Sequence, residues 1–94
     1  MVYQYRLNIH IGASSLHKKD LFTLINLSNP VHAGDIISLD AEELEVQVQS
    51  VRHSPRGSQL YAQIDILFEE PEDMEKDFKR EVKRYETGLK ALSK

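Results

Sequence analysis

The 94-residue chain has no cysteine and no tryptophan, and only 3 prolines and 4 glycines. Without cysteine it can build neither a disulfide framework nor a thiolate zinc site, which excludes a stapled secreted mini-protein. The glycines stand apart at positions 12, 34, 57 and 88, so there is no glycine-rich phosphate loop. Apolar runs reach only three residues, as in Ile66-Leu67-Phe68, far short of a bilayer span. The first residues, Met1 to Arg6, lack the basic and apolar regions of a secretory signal, so a cytoplasmic location is expected. What remains is 40% hydrophobic and 29% charged, a composition that suits one folded domain held together by apolar packing.

The apolar residues are arranged in two periods. Tyr3, Tyr5, Leu7, Ile9 and Ile11 occupy every second position and predict a strand with one buried face, ended by Gly12-Ala13-Ser14-Ser15. The next stretch reads as a strand from Asp20 to Leu27, with Leu21, Thr23, Ile25 and Leu27 on one face and Phe22 and Leu24 on the other. A helix capped by Ser15 is the alternative for residues 16–27. Asn29-Pro30 marks a turn. A short strand, Ile36 to Leu39, follows Gly34-Asp35, and Asp40 to Glu43 form a polar loop. Leu44, Val46 and Val48 alternate, then the phase slips to Val51, which predicts a β-bulge near Gln49-Ser50. Ser54-Pro55-Arg56-Gly57 has the residues of a type I turn, and Leu60 to Phe68 alternate again, so a long hairpin is expected.

From Pro71 the period changes. Met74, Phe78, Val82, Tyr85, Leu89 and Leu92 form a single helical stripe over residues 71–93. Net charge is −3, and it is polarised: residues 1–68 hold 5 bases and 7 acids, 69–78 hold 1 and 6, and 79–94 hold 6 and 2. Acids at the start of the helix and bases at its end compensate the helix dipole. Gly88 is the helix's one internal flaw, costing about 1 kcal/mol relative to alanine.

The expected class is therefore α+β and mainly β: a five-stranded antiparallel sheet or small half-barrel, then one long amphipathic helix, in a single domain spanning 1–94. Val31 to His53, with the run Gly34-Asp35-Ile36-Ile37, resembles part of an SH3-like small barrel over about a quarter of the chain. Leu67 makes the outer face of the last strand apolar where the helix begins, which suggests docking there.

Few side chains suggest chemistry. His10, His17, His32 and His53 are scattered without metal-ligand spacing. Ser14, Ser15, Ser54 and Ser58 fall beside turns, with no nucleophile elbow. Asp35 is a turn residue, the Glu42-Glu43-Glu45 cluster belongs to a polar loop, and Asp65 is the one carboxylate a shielded site could use as a general acid. No metal, cofactor or small-molecule substrate is implied. Lys76, Lys79, Arg80, Lys83 and Arg84 share one face of the helix and could track a phosphate backbone. Glu72, Asp73, Glu75 and Asp77 on the same helix argue against a polyanion.

The expectation is a non-enzymatic module that binds protein, including itself, through the distal helix: Tyr85, Leu89 and Leu92 as apolar contacts, with Lys79, Arg80, Lys83 and Arg84 beside them. A nucleic-acid-associated small barrel using Arg52, Arg56 and the helix cations is the alternative. A small hydrolase or isomerase built on Asp65 and a histidine is the third.

Overall fold

The structure is a computed structural model that describes residues 2–14, 17–39, 44–67 and 71–92, without the side chains of Pro71 and Leu92. Six strands and one C-terminal helix form it: β1 (Tyr3–Gly12), β2 (Lys18–Leu27), β3 (Ile36–Ser38), β4 (Glu45–Gln47), β5 (Ser50–Ser54), β6 (Gly57–Asp65) and α1 (Met74–Leu92), the last preceded by a 3-10 turn over Pro71–Asp73. The stretch with two readings is a strand. Its apolar residues alternate with β1, and the pair runs in unbroken register from Tyr3↔Leu27 to Gly12↔Lys18.

The five-stranded antiparallel sheet is corrected in three respects. The main sheet has four strands in the order β2-β1-β6-β5, and it is open rather than closed into a barrel. Its central pair, β1 and β6, is parallel, in register from Tyr5↔Ser58 to Gly12↔Asp65. The slip after Val48 is a change of sheet rather than a bulge. β4 pairs with β3 in a second, two-stranded sheet, while β5 turns away to pair with β6. Main-chain bonds on both sides extend that small sheet: Gly34 N–H to Val48 O at 2.7 Å, Val48 N–H to Asp35 O at 2.8 Å, and Leu39 N–H to Leu44 O at 2.7 Å. Gly34 takes φ +97°, a conformation that glycine adopts without steric cost, and Asp35 Oδ2 accepts from His32 N–H at 2.8 Å.

One core fills the space between the layers. Tyr5, Leu7, Ile9 and Ile11 line the inner face of β1, with Ile25 from β2 and Leu60 and Ala62 from β6 beside them. Ile37, Leu39, Leu44, Val46 and Val48 cover them from the small sheet, and Phe78, Val82, Tyr85 and Leu89 cover them from α1. The helix reaches the main sheet at β2. Leu67 does not serve as its dock: it lies beyond β6 and is 94% exposed. His17 closes the β1–β2 loop onto the helix, with its ring edge-on to Phe78 at 5.6 Å between centroids. Tyr5 reaches across the core, where its hydroxyl accepts a 3.0 Å hydrogen bond from the Val31 amide.

Phe68, Glu69, the loop from Asp40 to Glu43, Ser15, Leu16 and Lys94 lie outside the described residues.

Candidate interaction surface

Strand alternation sends the odd residues of β1 into the core and turns Gln4, Arg6, Asn8 and His10 outward. The registers extend those positions into rows across the sheet. Leu24, Arg6, Gln59 and Arg52 form one row. Phe22, Asn8, Tyr61 and Ser50 form the next, and Asp20, His10 and Gln63 the third. Among the described residues nothing packs on this face. Phe22 is 64% exposed and Leu24 57%, side by side on edge strand β2.

The polar groups between them are tied down. Asn8 Nδ2 donates to Gln59 Oε1 at 3.2 Å and to Leu60 O at 3.2 Å, while Arg6 Nε donates to Asn8 Oδ1 at 3.1 Å. The Tyr61 hydroxyl donates to the same Gln59 oxygen at 3.2 Å. The Arg6 guanidinium carbon sits 4.1 Å from the centre of the Phe22 ring, within cation–π range. His10 Nδ1 pairs with Asp20 Oδ1 at 2.5 Å at the other end of the face. Bonded side chains of this kind have little rotamer freedom left to lose on contact with a partner. A groove of about 440 Å³ runs past Arg6, Asn8, His10, Phe22, Tyr61 and Gln63.

The residues singled out from sequence fall elsewhere, with two exceptions. Tyr85 and Leu89 are in the chain's own core, 8% and 4% exposed, so the chain's own layers already occupy that part of the helix stripe. Leu92 is in the last turn of α1, and its side chain lies outside the described set. Lys79, Arg80 and Arg84 project to solvent, and each pairs with a carboxylate of the same helix: Glu75 at 3.2 Å, Asp77 at 3.0 Å and Glu81 at 3.4 Å. Lys83 is exposed on the same side. Arg52 and Arg56 are the exceptions. Arg52 shares a row with Arg6, and Arg56 lines a second groove with Gln4, Arg6, Leu24 and Gln59.

The candidates for chemistry are held in local contacts. His53 Nδ1 lies 2.8 Å from Ser58 Oγ, His17 Nδ1 lies 3.0 Å from Ser14 Oγ, and Ser54 Oγ donates to Gly57 O at 2.8 Å. Asp65 is exposed and accepts from Gln63 Nε2 at 3.0 Å. Among the described residues no group of three or more His, Cys, Asp or Glu could hold a metal ion. No helix among them is long and apolar enough to cross a membrane. Burial raises the Tyr85 phenol above its ordinary value, Glu81 adds to the effect, and Arg84 opposes it.

Sequence reading passed over Arg6, Asn8, Phe22, Leu24, Gln59 and Tyr61 as site residues. A signal was present: β2 carries large apolar side chains on both faces, and a sheet with one core buries only one of them. No family model, curated protein or solved structure matches the chain.

Proposed function

We propose that the chain is a non-enzymatic interaction module that binds protein through the open face of its mixed sheet, centred on Phe22 and Leu24. One observation carries this reading: two adjacent large apolar side chains, 64% and 57% exposed, lie beside Arg6, which is stacked on Phe22 and braced by Asn8. Aromatic residues and arginine are enriched in the cores of protein interfaces, where a few such side chains supply most of the binding energy. The helix is the weaker candidate, because its apolar stripe packs inward and three of its cations have carboxylate partners on the same helix.

The test is to immobilise the native chain, a Phe22→Ser/Leu24→Ser variant and a Lys79→Glu/Lys83→Glu variant and compare the proteins each retains. A species held by the native chain should be lost by the sheet variant and kept by the helix variant. Retention unchanged by the sheet substitutions refutes the reading.

A second reading has an observation of its own. Arg6, Arg52 and Arg56 gather at one end of the same face, next to the row holding Phe22 and Tyr61. That arrangement pairs cations with aromatic faces, as single-stranded nucleic-acid sites do. Anisotropy of a labelled single-stranded oligonucleotide at low salt tests it. Binding that weakens steeply towards about 200 mM salt supports it, and no binding at low salt removes it.

A further inference from the structure

We infer that a second copy of the chain joins this sheet edge to edge along β2, about a two-fold axis at Thr23, so that the two open faces become one. The inference rests on the reading above and adds that the surface is shared between two copies. The two edges of the main sheet, β2 and β5, differ. β5 has five residues, carries Arg52 and His53, and runs into Pro55, and these are the features by which proteins blunt an edge. β2 has ten residues, no proline and no bulge against β1. Its charges, Lys18, Lys19 and Asp20, sit together at one end. Among the described residues no other main chain pairs with its outer side.

An antiparallel joint between two copies of one strand is isologous, so whatever residue i meets at j is met again at j by i. Because opposed residues in a sheet share a face, the copies can pair only even with even and odd with odd. An axis at Thr23 sets Phe22 against Leu24 of the second copy, twice, and Leu21 against Ile25. Asp20 then faces Asn26, and Lys19 lays its aliphatic stem beside Leu27. No like charges oppose each other. Moving the axis to Phe22 puts Asp20 against Leu24 and Lys19 against Ile25. Moving it to Leu24 puts Phe22 against Asn26. Only the Thr23 axis matches apolar with apolar along the centre of the strand. The joint would run from Lys19 to Leu27, about 30 Å at a strand's rise per residue. It would merge two four-stranded sheets into one and gather the exposed Phe22 and Leu24 of both copies into a single patch spanning the seam.

The absence of cysteine makes the register testable. Directly opposed residues in an antiparallel pair have Cα atoms about 4.5–5.5 Å apart, within the span of about 4.4–6.8 Å that a disulfide bridges. The full chain measured by light scattering across a wide concentration range should reach twice the mass of one chain. A Phe22→Lys/Leu24→Lys variant, changed only at exposed positions, should keep its circular dichroism and fall to a single chain mass. Thr23→Cys should oxidise to a crosslinked dimer, whereas Asn26→Cys should not, because the axis at Thr23 keeps its two copies about 20 Å apart. A native chain that stays monomeric, or an Asn26→Cys variant that crosslinks as readily as Thr23→Cys, overturns the inference. If the native chain is monomeric while Phe22→Ser/Leu24→Ser still loses a captured protein, the self-pairing fails and the wider reading of the surface stands.

Discussion

Gly88→Ala separates a local argument from a tertiary one, because the two give opposite signs. In an isolated helix the change stabilises by about 1 kcal/mol, since glycine has the larger backbone entropy to lose. In this chain Gly88 faces the small sheet. A Cβ built on it would lie 3.0 Å from Leu39 Cβ, 3.2 Å from Leu44 Cδ2 and 3.6 Å from Leu39 Cδ1. Leu44 can turn its methyl aside, but Leu39 Cβ is fixed to its backbone and can yield only if the helix or the end of β3 moves. Overpacking a core by one carbon costs about 1–3 kcal/mol. Setting the gain of about 1 kcal/mol against that cost leaves a net destabilisation of about 0–2 kcal/mol. For a domain of this size each kcal/mol lowers Tm by about 4–8 °C. Urea and thermal unfolding of the native chain and the variant measure the difference. Thr87→Ala, one position away and exposed, gives up only the hydroxyl's 2.9 Å bond to Lys83 O and reports how the helix responds to alanine where no neighbouring layer is close. A Gly88→Ala chain about 1 kcal/mol more stable than native would refute the close approach of α1 to Leu39 and return Gly88 to the status of a simple flaw.

Two further outcomes follow from buried polar groups. Tyr5→Phe removes the acceptor of the Val31 amide, 3.0 Å away in a buried setting, and should cost about 1–3 kcal/mol in urea unfolding. It should also speed hydrogen exchange at Val31; an unchanged midpoint would mean that water takes over the amide. For Tyr85, whose folded pKa is raised above 10.0, the folded state keeps its proton where the unfolded state loses it, so this part of the stability is complete below pH 10.0 and falls as pH rises above it. Tyr85→Phe should flatten the decline in Tm between pH 9 and 11, and equal slopes in the two chains would contradict the burial of that phenol.

What was legible in the sequence was local. The period-2 runs place β1, β2 and β6 within a few residues, and the 3.6 period places α1, because each pattern is generated by the element's own geometry. The turn residues are equally local: Gly34-Asp35 and Ser54 to Gly57 form the turns their chemistry demands. The slip after Val48 was visible too, but two different structures produce it. A bulge keeps the strand in one sheet, whereas here the slip lets Val48 face the core from the small sheet and Val51 from the large one. The choice depends on what lies opposite, and no pattern within the segment encodes that.

The candidate surface was hidden for a related reason. In a meander of consecutive hairpins β2 would lie inside the sheet, with β1 and β3 on either side. The observed order inserts β6 beside β1, parallel to it and more than 50 positions away, and so commits the inner side of β1 to a distant partner. β3 is then free to leave for the second sheet, and β2 becomes an edge. Phe22 and Leu24 are exposed because nothing among the described residues packs on their face, and the pairing of β1 with β6 adds to this by leaving β2 without a neighbour on its outer side. Burial of the helix stripe follows from the same arrangement, since the inner face left uncovered by the two-stranded sheet is the face that Phe78, Val82, Tyr85 and Leu89 cover. One long-range parallel pairing thus fills the surface that periodicity offered to a partner and leaves Phe22 and Leu24, on the other face of their strand, at an edge of the sheet.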